Sequence, residues 1–440
     1  MNTVIPPTAG KRIVVIGGGF AGINFVKEMR YTPYQIVMID RHNYHTFQPL
    51  LYQVATAGLE PDSISYPLRR TLSISEDFIF RVADVKNIVP EKNYIETTLG
   101  DIEYDYLVIC TGSKTNYFGN KRLEKNTWPM KSVPEALNLR SMIIQNFEDA
   151  LVADAETRKA LMHYVIVGGG PTGVELAGAL AELKKNAFRS DYPELDLAEM
   201  QIWLAEADNR VLAAMSPQAS QKAREYLEKM GVKVMLGTKI EDYDGENLVY
   251  NSGQTVKAST VIWAAGVAGN FLSGLHADAV NRGGRIRVDA YNTVVGYDNI
   301  FALGDVACME SEELPRGHPM LAQVAIQQAL NLAENLDRDS DMKTPFRYKD
   351  LGSMATVGKN RAVVDLPHIK FQGVFAWFVW MFVHLLALVG FRNKFITFVN
   401  WVYSYMKFDK GIRLIIRPVQ RRREESIVPP TPSPSQSNLS

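Results

Sequence analysis

The sequence predicts an α/β protein in which one strand-helix-strand unit occurs twice, followed by an apolar helical segment near the C-terminal end. Three observations carry that expectation. A β-branched, apolar run leads into a glycine fingerprint at residues 17–22, and another does so at 168–173. Each fingerprint opens a helix-compatible stretch that returns as a second apolar run ending near an acid. Residues 371–406 are dense in aromatic and aliphatic side chains, unlike anything upstream. At 440 residues the chain is too long for one ordinary core, so two or three domains are expected.

In chain order, residues 11–16 read as a buried strand, a helix runs on through Met29, and 34–39 read as the next parallel strand. Residues 106–110 form an apolar run that stops at Thr111-Gly112. The second copy begins at 164–167, continues as a helix over 174–185 and returns at 201–204, with 186–200 as an insertion between them. Residues 260–265 repeat the earlier apolar run and stop at Gly266, and both stops read as crossings between domains. A strand ends in Gly304-Asp305, and a helix starts near Met320. From Val428 onward proline and serine dominate, which predicts disorder.

Each glycine in the fingerprint has a separate physical task. Gly17 permits the tight turn, Gly19 lets backbone amides approach a pyrophosphate, and Gly22 lets helix and strand pack closely. Phosphates then sit on a helix N-terminus, where free amides and the helix dipole favour negative charge. Asp40, at the end of the next strand, is placed to accept hydrogen bonds from a ribose. Gly168, Gly170 and Gly173 repeat the arrangement, and Glu206 closes the returning strand. An acid there disfavours a 2′-phosphate and argues for NADH over NADPH, although Arg210 nearby keeps the phosphorylated cofactor in play. Two cradles imply two dinucleotides, economically a resident FAD and an exchangeable nicotinamide nucleotide. Asp305 then suits the flavin's ribityl or phosphate region.

Composition removes several classes. Lysine plus arginine equal aspartate plus glutamate at 48 each, so the general attraction expected of a nucleic-acid binder is missing. The two cysteines, Cys110 and Cys308, form no Cys-x-x-Cys pair, which argues against a disulfide scaffold or redox dithiol. Seven histidines show no metal-ligand spacing, so no metal is expected. The N-terminal residues lack a charged region followed by an apolar one, so the globular part is expected in the cytoplasm.

Together these features resemble the two-dinucleotide-binding-domain flavoproteins with Rossmann-like units, and within them the type II NADH dehydrogenases, the non-pumping NADH:quinone oxidoreductases. The resemblance covers roughly residues 11–411. Both cradles, Thr111-Gly112, Ala264-Ala265-Gly266, Gly304-Asp305 and the segment His45-Thr46-Phe47-Gln48-Pro49-Leu50-Leu51-Tyr52-Gln53 carry it. It implies that residues 1–118 and 270–345 bind FAD, with Gly112 at the crossing. Residues 119–269 would bind NADH, 346–425 would associate with a membrane, and 426–440 would form a disordered tail. It implies a quinone as acceptor, with Gln323 and Gln327 of Ala322-Gln323-Val324-Ala325-Ile326-Gln327 beside the flavin ring. Four positions apart, the two amides share one helix face. Glu175 falls where the family has an acid near the nicotinamide side of the flavin, and Lys370 corresponds to a lysine near the quinone entrance. Amides at the helix start around Met320 and Leu321 would stabilise charge on reduced flavin. The competing readings are another FAD/NAD(P)H-dependent reductase, including thiol-based enzymes such as sulfide:quinone oxidoreductases, and a nucleotide-binding redox sensor with little turnover.

The apolar C-terminal stretch bears on location. Residues 371–391 carry no charge over 21 positions, a length of about 31 Å as one helix, close to a hydrocarbon core. Gln372, Gly373, His384 and Gly390 interrupt it, and 395–406 is too short to cross alone. The resemblance implies attachment in one leaflet of the cell inner membrane, on its cytoplasmic side. Arg392, Lys394, Lys407, Arg413, Arg417 and Arg421 to Arg423 would meet anionic head groups. A buried core helix or a homodimer interface is the alternative use of this run.

Overall fold

A computed structural model describes residues 5–72, 77–337, 342–407 and 413–415. Two five-stranded parallel sheets form the frame. In the first, the order across the sheet is Ile300–Ala302, Tyr106–Ile109, Arg12–Ile16, Gln35–Asp40, Phe78–Val82. The second has the order Trp128–Pro129, Thr260–Trp263, His163–Val167, Gln201–Ala205, Lys233–Met235. Central strands such as Arg12–Ile16 and His163–Val167 are buried almost throughout, which is why they read as continuous apolar runs without alternation.

The repeat extends beyond the fingerprints. Each unit carries a three-stranded antiparallel meander, Val85–Val89 with Tyr94–Thr97 and Gly100–Glu103 in one, Ile240–Tyr243 with Asn247–Tyr250 and Gln254–Lys257 in the other. After each meander the chain returns to its sheet beside the cradle strand, at Tyr106–Ile109 and at Thr260–Trp263. Sheet order therefore reverses at Arg12–Ile16 and at His163–Val167, and a crevice opens at the carboxyl ends of those strands. Ser113–Thr115 and Val267–Gly269 pair antiparallel and join the two units at the crossings.

The segment 186–200, expected as a plain insertion, is partly helical. The helix Pro171–Leu183 continues through a π turn, Lys184–Phe188, into Arg189–Asp191. Phe188 stacks on Phe147 of Val133–Val152 with ring centroids 3.8 Å apart, which gives the extension an apolar anchor. Val133–Val152 itself starts on a capping box, in which Ser132 and Glu135 satisfy each other's backbone amides.

The C-terminal region begins with an antiparallel sheet, Ser353–Thr356, Ala362–Asp365 and Lys370–Gln372, laid against Pro171–Leu183. Gly178 makes this approach possible, because a Cβ there would meet Gly358 N at 2.8 Å. Two helices follow, Val374–Ala387 of 14 residues and Phe391–Lys407 of 17. This corrects the single 21-residue run: Phe371 and Gln372 belong to a strand, and Gly390 at φ 84° ends the apolar stretch in a turn. At 1.5 Å per residue the two helices are about 21 and 26 Å long. Among the described residues, no helix is long and apolar enough to cross a membrane.

Both C-terminal helices bury one side and leave an apolar side open. Trp380 and Ala376 pack inward, while Phe375, Phe378, Phe382 and Leu386 are exposed at helical spacing. On the second helix Phe395, Phe398, Val399 and Val402 are exposed, whereas Asn393 and Thr397 are buried. The Asn393 amide donates to Asp62 O at 3.1 Å and Ser65 O at 2.9 Å, and Thr397 donates to Ser63 O. Of the expected lipid-facing cations, Arg392 is exposed and Lys394 donates to Leu386 O. Arg413 is instead paired with Asp191 of the second unit. Arg417, Arg421 to Arg423 and the expected disordered tail lie outside the described residues.

Candidate active site

The two cradles are built alike. A Cβ on Gly17 would lie 2.4 Å from Cys110 O, and one on Gly22 would lie 2.0 Å from Gly17 O. In the second cradle the corresponding approaches are Gly168 to Ala264 O at 2.5 Å and Gly173 to Gly168 O at 1.9 Å. Gly17 and Gly168 also sit at φ 107° and 109°, where only glycine is comfortable. Gly19 and Gly170 differ. Nothing lies within 4 Å of a Cβ at either, so each faces open space at the start of a helix, where a pyrophosphate fits. Gly112 at the first crossing likewise faces open space.

The acids do more than the ribose task assigned from sequence. Asp40 Oδ2 accepts the Gly18 amide at 2.6 Å, and its Oδ1 accepts the His42 amide at 2.7 Å. Glu206 does the same for Gly169 at 2.5 Å and Asp208 at 2.8 Å. Each acid thus anchors the middle glycine of its cradle. A carboxylate has about four acceptor positions, so capacity for a ribose remains. The middle-glycine carbonyls are held as well, Gly18 O by His45 Nδ1 at 3.0 Å and Gly169 O by the Leu212 amide at 2.7 Å. Arg210 donates to Ala213 O and Met215 O, which commits its guanidinium to the local loop.

Asp305 accepts Ser113 Oγ at 2.5 Å, with Lys131 Nζ 3.9 Å away. Gly304, at φ 72°, gives its amide to Gln328 Oε1 at 2.7 Å. Gln328 is buried and was not singled out by the sequence, although it lies one residue past Gln327 on the helix Ala322–Asp337. Gln323 and Gln327 are not free amides. Gln323 donates to Gly352 O and accepts from Leu351 N, both at 3.1 Å, and Gln327 makes the same pair of bonds with Lys349 at 2.9 Å. They pin the 349–352 backbone that leads into the C-terminal sheet. Lys370 is exposed.

Glu175 lies one turn into the second cradle helix and is buried. Burial pushes its pKa up to about 8, opposed by the Thr356 amide at 3.4 Å and by the Trp380 indole. A protonated, neutral carboxyl is therefore accessible near pH 7. Around it the structure gathers Tyr52 and Gln53, which carried the family resemblance without a site role, and Thr356, Trp380 and Trp401, which the sequence did not flag. Several of them line a cavity of about 120 Å³ between the second unit and the C-terminal helices, together with Glu182 and Lys359. Burial also raises the pKa of both free thiols, Cys110 and Cys308.

Two phosphate cradles at the switch points of two joined parallel sheets define an oxidoreductase that binds two dinucleotides. The family model described as pyridine nucleotide-disulphide oxidoreductase matches residues 11–329, and that of the NDH2 C-terminal domain matches residues 351–407. The chain is 33% identical over 423 residues to the type II NADH:quinone oxidoreductase Ndh of Mycobacterium tuberculosis, covering 92% of this chain and 90% of that protein. It is 28% identical to an internal alternative NAD(P)H-ubiquinone oxidoreductase of Arabidopsis thaliana mitochondria, over 92% and 86% of the two chains. The chain belongs to the type II NADH:quinone oxidoreductases. Its fold matches that of NDH2 from Plasmodium falciparum, solved with NADH, at a TM-score of 0.84 and 21% identity over 92% of this chain and 100% of that one. A sulfide:quinone oxidoreductase from Aquifex aeolicus shares the fold at a TM-score of 0.69 and 20% identity, over 90% and 96%.

Proposed function

We propose that this protein passes two electrons from NADH through a bound FAD to a membrane quinone, at the cytoplasmic face of the cell inner membrane. The observation that carries the reading is the pair of equivalent cradles, each with open space at one glycine and closed packing at the other two. When bound, FAD supplies the step between a two-electron hydride donor and the quinone. The chain's own contribution is placement and charge. Gly17, Gly19, Gly22 and Asp40 would hold the flavin nucleotide, with Gly112, Gly304 and Asp305 at its other end, while Gly168, Gly170, Gly173 and Glu206 would hold NADH. Gln323 and Gln327 would act on the quinone side by fixing the 349–352 backbone. Glu175 would hold one of the two protons a quinone needs with its two electrons.

The exposed apolar sides of Val374–Ala387 and Phe391–Lys407 support seating in one leaflet, with Arg392 toward the head groups. The test is a purified-protein assay with NADH and NADPH against several quinones, with released flavin identified. We expect FAD, a preference for NADH, and reoxidation by quinone. A folded preparation without flavin, or one that NADH cannot reduce, would refute the reading. Flotation with liposomes tests the location. Protein that stays in solution as a homodimer in the presence of lipid would assign the apolar faces to a second copy instead.

A further inference from the structure

Four hydrogen bonds connect the second C-terminal helix to Glu175. Trp401 Nε1 meets Gln53 Oε1 at 2.9 Å, Gln53 Nε2 meets Tyr52 Oη at 3.0 Å, Tyr52 Oη meets Thr356 Oγ1 at 3.0 Å, and the Thr356 amide meets Glu175 Oε1 at 3.4 Å. Tyr52, Thr356, Trp401 and Glu175 are all buried. The residues come from four separate stretches of chain.

Chemistry fixes the direction of the first two bonds. An indole nitrogen can only donate, so Gln53 must present its oxygen to Trp401 and its NH₂ to Tyr52. Tyr52 receives one proton from Gln53 and shares a second bond with the Thr356 hydroxyl, in which either oxygen can donate. Burial raises the pKa of Tyr52, which keeps it a neutral donor. The donors of Trp401 and Gln53 point away from the second C-terminal helix, and the Thr356 amide points at the carboxyl. The Tyr52 hydroxyl holds the Thr356 side chain, and the backbone amide of that same residue donates to the carboxyl, so the series fixes where the amide that favours the charged acid sits.

We propose that Trp401, Gln53 and Tyr52 are positioning residues that set the proton affinity of Glu175, so that the seating of Phe391–Lys407 is felt at the acid. This rests on the reading of Glu175 as the proton holder for quinone reduction. No ionised partner competes for the control: among the described residues Glu175 makes no ion pair. Glu182, two turns along the same helix, accepts the Lys359 amide, and Lys359 directs its ammonium to Tyr405 O. His384, which stacks on Trp380, is held neutral by burial, and Tyr226 on Pro217–Lys229 meets Lys222. Breaking the series at Trp401 frees Gln53 to turn its amide over. Tyr52 would then donate to Gln53 and have no proton for Thr356.

The test is the pH dependence of flavin reoxidation by a short-chain quinone in the full-length holoenzyme, measured by stopped flow. For Trp401→Phe and for Tyr52→Phe we expect the controlling apparent pKa to rise by about half to one unit, with flavin reduction by NADH changed less than twofold. Because both substitutions break one series, the double variant should shift the profile no further than either single one. Gln53→Met attacks the same bond if Trp401→Phe does not fold. Unmoved profiles in the single variants, or additive shifts in the double, overturn the proposal. So does a wild-type profile that Glu175→Gln leaves in place, which would remove the acid's role as well. Wild-type flavin that quinone does not reoxidise at any pH would instead sink the functional reading on which the proposal rests.

Discussion

At the scale of single residues, the glycines of one fingerprint separate folding from binding. Gly170→Ala places a methyl in open space at φ −70°, so we expect a folded protein with NADH affinity down on the order of tenfold. Gly173→Ala pushes the same methyl against Gly168 O and should lower thermal stability instead, which differential scanning fluorimetry would show. Glu206→Ala removes the acceptor of the Gly169 amide as well as the proposed ribose partner. We expect a higher KM for NADH and a smaller preference over NADPH, measured by steady-state kinetics. Glu175 makes a pH prediction. Its folded pKa of about 8 lies above its ordinary value of 4.5, so the folded state holds the proton longer than the unfolded one. Stability is unaffected below about 4.5, is progressively lost as pH rises from there to about 8, and falls no further above it. Glu175→Gln should recover on the order of a few kcal/mol at pH 9 and little at pH 4, as read from denaturant unfolding. The glycines were legible because their function is local in sequence. The anchoring of Gly169 by Glu206 was not, since the partners are 37 residues apart and only the fold turns one toward the other.

At the scale of elements, the C-terminal helices show what periodicity can and cannot say. The apolar run was plain in the sequence, but its length overstated the helix, because Gly373 starts it late and Gly390 ends it early. Phe375, Phe378 and Phe382 form the open face. Replacing all three with glutamate gives up only the partly exposed ring contacts of Phe375 with Phe371 and of Phe378 with Trp377 and Tyr405, and should abolish flotation with liposomes while leaving NADH-driven flavin reduction in place. Retained flotation would mean that these side chains do not contact lipid. The second helix is held by Asn393, whose amide bonds two carbonyls of the 61–67 region. The sequence did not single out Asn393. In the structure it is the attachment point, and Asn393→Leu should cost about 1–3 kcal/mol, measurable by chemical denaturation.

On the whole-molecule scale, acid sensitivity sits at two junctions. His45 at the first cradle and His384 in the first C-terminal helix are each lowered to about 4 by burial, from an ordinary 6.5. The stability they allow is complete above 6.5 and is lost as pH falls from there toward 4, because the unfolded chain takes protons the folded one refuses. A melting temperature that does not fall across that window would show these imidazoles to be wetter than the structure places them. The doubled architecture was legible for the same reason as the cradles: each unit repeats its signals within a short span. The discontinuity came only through the family resemblance, since Ile300–Ala302 pairs with Tyr106–Ile109 across an entire second unit. That pairing has a consequence for birth order on the ribosome. The sheet spanning Trp128–Pro129 to Thr260–Trp263 has emerged whole while the earlier sheet still lacks its edge strand. The half of the molecule written first is therefore finished last, and the second unit matures beside an open sheet that waits for residues 300–302 to leave the tunnel.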